Sequence, residues 1–323
     1  MLSEVIEIKL SELMEWDEYV ENSKGGTVFH KSWYLEIYGV EYVLIVFDDD
    51  KIVCGMPLYK SKQNRGMIVQ STKIVPYSGL FISWEYLKGS NYHSKMKEHV
   101  LIEKVCDYLK KEYSDICFSL STENVDIVPF LRQGFYPEVR YTIMNDASLR
   151  NDDRKKLYSR SRRNVLKTAM NKGIEIKCDL TLSQIDFIKL TFWSDDSPRD
   201  STIYEKIVNR AYKNGCGTAI GAYWSGELVG MLILVWDKKR AYSILSFYDK
   251  QRASWGIGSL LYDAAISYTH ERLMKNELDF EGSVLKGVEE FFLSFGGCQS
   301  IYFNMYWQKE LSSELIKELY IYE

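Results

Sequence analysis

The sequence predicts an α/β (α+β) protein of two similar domains in tandem, each a mixed, largely antiparallel sheet flanked by helices. Three observations carry that expectation. The apolar patterning reads β-β-β-α-β-α-β once in each half of the chain. A shift of 162 positions places Phe118 on Phe280, Ser121 on Ser283, Phe130 on Phe292, Leu131 on Leu293 and Gly134 on Gly296, the mark of a duplicated unit. And 323 residues suit two domains of about 150 residues better than one core.

In the first half, β-rich runs at 42–47 and 52–59 flank the polar turn 48–51, and a third run covers 67–74. Val100, Val105, Tyr108 and Leu109 recur at helical spacing, which predicts a helix over 94–112. A strand at 116–120, a helix at 125–133 stopped by Gly134 and a strand at 135–143 complete the half. In the second half, runs at 217–224, 227–236 and 241–248 read as three consecutive antiparallel strands. A helix over 257–274, a strand at 277–280, a helix at 285–295 closed by Gly296 and Gly297, and a strand at 299–305 follow. Between the halves lies the segment 145–214. Its centre, 154–172, holds eight Lys or Arg and no acid, and predicts a basic helix over 150–172 with Asp152 and Asp153 at its start. Two further helices are expected over 180–213. The domains are expected to be 1–145 and 146–323.

A net charge of −4 and a pI near 5.8 give no global basis for binding DNA or an anionic membrane, so a polyanion must meet a local patch. The six cysteines include no C-x-x-C pair and lie near no histidine cluster, which argues against a zinc site or disulfide framework and for reduced thiols in the cytoplasm. The first residues, MLSEVIEIKL, lack the basic start of a signal peptide. No stretch of about 18 apolar residues predicts a membrane span. Neither a G-x-S-x-G elbow, a Walker A loop nor a full dinucleotide fingerprint is present, and the four histidines have no triad spacing.

Chemistry concentrates in four places. The strand ending at Tyr248 enters a helix through Trp255, Gly256, Ile257, Gly258 and Ser259, preceded by Arg252. Glycines at a helix start let backbone N–H groups approach an anion, which the helix dipole favours. A carboxylate, Glu281, ends a strand expected to be central, where α/β sheets place ligands; it suits a general base or an ion pair with a basic neighbour. Ser283 follows and suits either the site or a helix cap. Tyr248 has the place of a general acid. The basic segment offers Arg160, Arg162 and Arg163, whose guanidinium forks fit phosphate, although charged residues on a helix also simply solvate it. Finally, His30, Trp33, Tyr77, Trp84, Tyr248 and Trp255 form an aromatic set, with Trp33 and Tyr77 the candidates to touch an acceptor.

The glycine segment resembles the CoA-binding loop of the GNAT acyltransferases, Q/R-x-x-G-x-G/A, with Ala253 three places before Gly256 and Arg252 one place out of register. The run Asp279-Phe280-Glu281-Gly282-Ser283, with Gly287, Phe291, Phe295 and Gly296, resembles the end of the catalytic half of FemAB-like proteins. The stretches 29–39 and Val75-Pro76-Tyr77-Ser78-Gly79-Leu80 resemble that family's opening helix and its P-x-x-G segment, so the resemblance spans nearly the whole chain. It implies two tandem GNAT-like acyl-CoA N-acyltransferase domains. The first would serve the acceptor or the structure. The second would bind the donor and catalyse, with the donor phosphates on Trp255–Ser259 and Arg252, and catalysis by Glu281, Tyr248 and Ser283. It further implies that the basic residues hold a phosphorylated ligand, either a tRNA acceptor stem or a nucleotide-linked sugar. The long paired-helix arm of some members is missing.

The expected activity is therefore acyl transfer from acyl-CoA to an amine such as an amino sugar, with no tightly bound cofactor and no metal. A FemAB-type transfer from aminoacyl-tRNA to a peptidoglycan precursor is the alternative. A non-catalytic tandem-GNAT binding protein is the second alternative, suggested by Ala253 and by the absence of a glycine loop at 82–94 in the first half.

Overall fold

A computed structural model describes residues 2–61, 66–68, 75–149, 151–185, 201–282 and 285–309. The chain forms two compact units, Met1–Arg140 with Ile301–Glu323, and Tyr141–Ser300. The division thus falls a few residues before the expected boundary, and the final strand belongs with the first unit rather than the second.

In the first unit, β1 (Leu2–Lys9) pairs antiparallel with β3 (Tyr42–Asp48), β3 with β4 (Lys51–Pro57), β4 with β6 (Phe81–Ser83) and β6 with β2 (Ser23–Lys24). A separate set pairs β5 (Met67–Ile68) parallel with β7 (Asp115–Ser119), and β7 antiparallel with Asn304–Gln308 of β14 (Cys298–Gln308). Of the run expected at 67–74, residues 69–74 lie outside the described residues. Strand β1 was not anticipated, because its Glu4 and Glu7 interrupt the apolar pattern. Ser90 starts α3 (Asn91–Glu112) by accepting the His93 N–H at 3.4 Å. Its buried stripe is Leu101, Ile102, Val105, Cys106 and Leu109, which packs with Phe118, Phe130, Met305 and Trp307. Val100, assigned to that stripe from spacing, is 55% exposed on the other face. Burial pushes the Cys54 thiol up to about 12 and the Cys106 thiol well above its ordinary range, so neither is a nucleophile at neutral pH.

The short α4 (Val128–Arg132) is smaller than the predicted helix over 125–133 because Asp126 ends the loop before it. Asp126 accepts the His99 Nε2 at 2.8 Å, the Lys95 Nζ at 3.0 Å and the Val128 N–H at 3.1 Å. Burial pushes its carboxyl up, but those hydrogen bonds outweigh burial and hold it at about 2. A carboxyl held below its unfolded value of about 3.9 adds stability that is complete above that pH and disappears as pH falls through the folded value. Asp126→Asn is therefore expected to cost about 2 kcal/mol at neutral pH. In denaturant unfolding across pH 7 to 2, wild type and variant should converge near pH 2; parallel curves would refute this.

In the second unit, β9 (Glu175–Lys177), β10 (Gly217–Trp224), β11 (Glu227–Trp236) and β12 (Ala241–Tyr248) pair antiparallel in that order. Next, β12 runs parallel to β13 (Glu277–Asp279), and β13 pairs antiparallel with Met144–Asp146 of β8 (Tyr136–Asp146). The predicted single basic helix is two, α5 (Asn151–Leu157) and α6 (Arg160–Asn171). Ser159 adopts extended geometry between them and caps α6 through the Arg162 N–H at 3.1 Å. Of the two helices expected over 180–213, α7 (Ser201–Lys213) is described, and 186–200 lie outside the described residues. Helix α8 (Ile257–Glu271) and α9 (Lys286–Leu293) complete the unit, both shorter than predicted. Leu260, Leu261, Ala265 and Ile266 of α8 pack on Ile220, Ala222, Leu232 and Leu234 of the sheet. Among the described residues, no helix is long and apolar enough to cross a membrane.

Candidate active site

The parallel pairing of β12 and β13 is two residues long, Ala241 with Leu278 and Tyr242 with Asp279. Beyond it the strands part. Phe280 donates its N–H to the Ile143 carbonyl at 2.9 Å, following β8, while β12 continues to Tyr248. At the same level β12 carries a bulge: Leu234 opposes Ser243 and Ile233 opposes Leu245, leaving Ile244 as the extra residue. The end of β12 and the Asp279–Gly282 turn therefore diverge, leaving a candidate cleft between them.

Helix α8 starts at the Tyr248 end of β12. Gly256 is its N-cap with φ +84°, and a β-carbon there would sit 2.7 Å from Val165 of α6, so only glycine fits. Among the described residues no side chain caps this helix start. A β-carbon on Gly258 would lie 3.3 Å from the Tyr248 ring, which places the half-exposed Tyr248 against the first turn. Ile257 is buried in the sheet interface, and Ser259 is buried beside α6.

The basic segment meets α8 here. Arg162 donates from Nε to Ser294 Oγ at 2.8 Å and from a terminal nitrogen to Ser259 Oγ. Its guanidinium lies 4.2 Å from the Phe291 ring centre and 4.6 Å from that of Phe295. Burial pulls its pKa below the ordinary value, and among the described residues no carboxylate pairs with it. Most of the other cations have other partners. Arg154 is buried and pairs with Asp263 at 3.4 Å, Tyr158 Oη at 3.0 Å and Ser267 Oγ at 2.8 Å. Lys155 approaches Asp263 at 3.5 Å, Lys156 pairs with Asp153 at 2.7 Å, and Lys172 sits 4.8 Å over Trp255. Arg163, expected to bind phosphate, instead donates to the Tyr158, Lys156 and Lys155 carbonyls and closes the end of α5. Arg160 lines a groove of about 440 Å³ with Ser161, Asn164, Val165 and Thr168 of α6 and with Ser254.

Two other expected donor contacts are committed elsewhere. Asp249 caps the turn Lys250–Trp255 through the Gln251 N–H at 2.8 Å and pairs with Arg252 at 2.5 Å. Arg252 also stacks over Trp224 at 5.1 Å, and Trp224 meets Trp255 edge-on at 5.1 Å. Arg252 and Trp255 therefore build the loop rather than present themselves to a phosphate.

On the other side, Glu281 is half-buried with φ +59°, left-handed for a residue with a side chain. Asp279 Oδ1 accepts its N–H at 2.8 Å and the hydroxyl of Thr142. Ser283 lies outside the described residues. In the first unit, Trp33 and Tyr77 are buried, Tyr77 between Phe29 and Tyr302, which leaves them as core rather than acceptor contacts. His30 is also buried: its Nδ1 accepts the Thr27 N–H at 3.2 Å, so Nε2 carries the proton and donates to the Gly79 carbonyl at 3.1 Å. Among the described residues no group of three or more His, Cys, Asp or Glu has the arrangement of a metal site.

The sequence brought Arg162, Ser259, Gly258 and Tyr248 forward separately, and the structure gathers them at one helix start. It missed Thr142 and the service of Asp279 to Glu281. The D-x-E spacing of Asp279 and Glu281 is a readable sign of a side chain holding the N–H two residues on. Thr142 has no such sign, being 137 residues away.

Comparison with known proteins bears on the fold. The family model of a GNAT acetyltransferase domain matches residues 189–292. Among solved structures, FemX is similar with a TM-score of 0.69 at 13% identity, covering 94% of this chain and 97% of its own. L-PGS from Bacillus licheniformis gives 0.59 at 10% identity, with 91% of each chain covered. A conserved protein of unknown function from Bacteroides thetaiotaomicron gives 0.57 at 11% identity, covering 94% of this chain and 99% of its own. No curated protein matches the sequence. The GNAT match supports acyltransferase activity in general. With its two compact units, mixed antiparallel-dominated sheets and a GNAT acetyltransferase domain matched over residues 189–292, the chain shares its fold with FemX.

Proposed function

We propose that the protein is an N-acyltransferase that moves an acyl group from acyl-CoA to an amine, such as that of an amino sugar. The observation that carries this reading is Arg162. A partly buried guanidinium with no carboxylate partner among the described residues stands at the start of α8, itself the positive end of a helix dipole. Two positive features placed together repel unless an anion joins them, and the phosphates of the donor supply one.

The chemistry then follows from the cleft. The donor carbonyl would lie along the unpaired edge of β12, where a backbone N–H at the Ile244 bulge would take the oxyanion. The amine nitrogen would attack the carbonyl carbon directly. Glu281 would receive the amine proton, the carbon–sulfur bond would break, and Tyr248 would return a proton to the departing thiolate. No covalent enzyme intermediate is needed.

A second reading, aminoacyl-tRNA as donor with a peptidoglycan precursor as acceptor, is favoured by Arg160 and Lys167. Both are exposed, lie seven residues apart on α6, and form no ion pair among the described residues, which gives a backbone of repeated phosphates two contact points.

Thermal unfolding with acetyl-CoA, a longer acyl-CoA and aminoacyl-tRNA tests the choice, since a ligand of the native state raises the midpoint. A shift with a CoA thioester is expected, and Arg162→Ala is expected to weaken that ligand about 10-fold or more, the loss of one charge-assisted phosphate contact. A shift with tRNA alone, reduced by Arg160→Ala and Lys167→Ala, would replace the first reading by the second. Binding of acetyl-CoA without turnover on any amine would favour a non-catalytic binding protein.

A further inference from the structure

Glu281 and Gly282 are consecutive left-handed residues, with φ +59° and +53°. At 282 the requirement is steric, because a β-carbon would lie 2.5 Å from the Tyr141 carbonyl oxygen and 2.8 Å from Thr142 Cα. At 281 the left-handed backbone is one that a glutamate resists. What holds it is Asp279, whose Oδ1 takes the Glu281 N–H at 2.8 Å and also the Thr142 hydroxyl. Asp279 and Thr142 are each 1% exposed, and Asp279 is the last residue of β13 to pair with β12 before the strands part. A strained residue held by a buried pair at the mouth of a cleft is the arrangement expected where orientation matters to function.

We propose that Thr142 and Asp279 are positioning residues. Thr142 orients the Asp279 carboxylate, Asp279 fixes the backbone of Glu281, and the left-handed turn sets where the Glu281 carboxylate stands at the cleft. This rests on the reading of Glu281 as the base.

Turnover is read with acetyl-CoA and glucosamine as probes, alongside amide exchange at Glu281 by NMR, which needs no substrate. Thr142→Val, close in shape, is expected to lower kcat about 10-fold or more at nearly constant donor KM, as a misplaced catalytic group does. It should also speed exchange of the Glu281 amide. Thr142→Ser, which keeps the hydroxyl, is expected to restore both. Asp279→Ala should reproduce the loss, and Asp279→Asn, which keeps the acceptor oxygen, should lessen it. Wild-type exchange at Glu281 in Thr142→Val, or wild-type kcat in Thr142→Val beside a depressed Glu281→Gln, would overturn the positioning role. Wild-type kcat in Glu281→Gln would instead remove the base reading itself, leaving the exchange result as a statement about the backbone alone.

Discussion

Replacing Glu281 by glutamine is expected to lower turnover by about 10²-fold or more, the usual range for removing a general base. Glutamine keeps the length and polarity of the side chain but takes no proton, so the thermal midpoint should barely move. A second substitution at the same position gives the opposite sign in stability. Glycine adopts φ +59° without the penalty of a β-carbon, so Glu281→Gly is expected to stabilise the fold by about 1 kcal/mol while removing turnover. Loss of both stability and activity in the glycine variant would mean that the glutamate side chain holds the turn together. Retained activity in either variant would take Glu281 out of the chemistry.

Arg154→Met is expected to have the largest effect on stability. Arg154 is 1% exposed, and Asp263, 7% exposed, accepts from it and from Tyr158 Oη at 2.8 Å. A carboxylate that loses its buried partner has no water to replace it, and single deletions of this kind cost about 3–5 kcal/mol. Lys155, 3.5 Å from the other oxygen of Asp263, places the expectation near the lower figure, about 3 kcal/mol in denaturant unfolding. Removing the second charge as well, in Arg154→Met with Asp263→Leu, should recover most of that loss, because the cost lies in the unpaired ion rather than in the missing pair. A single-variant loss below about 1 kcal/mol would show that water reaches Asp263.

Much of the second unit was legible because its strands are uninterrupted apolar runs bounded by turns: β10, β11 and β12 lie where the sequence put them. The helix start at Gly256–Gly258 was legible from its glycines, though the left-handed backbone of Gly256 was not. What failed was decided by contacts between distant residues. Nothing near Trp33 or Tyr77 announces that they close a core, and nothing near Arg163 says that its fork is spent on the end of α5. The split of the basic segment turned on Ser159, a capping residue hidden among charges. Arg162 and Ser259 were both read as candidates, yet their meeting across 97 residues is visible only in the folded chain.

The placement of the last strand has a consequence for the order in which the chain completes itself. Ser119 of β7 hydrogen-bonds Asn304 of β14, 185 residues later, and Met305 and Trp307 fill the same core as Phe118 and Phe130. During synthesis the unit Tyr141–Ser300 leaves the ribosome with its own strand partners already made. The unit that begins the chain must wait for Ile301 and beyond before β7 is covered. It is the first to be synthesised and the last to be sealed, and in the interval its apolar edge is open to whatever chaperone or neighbouring nascent chain meets it.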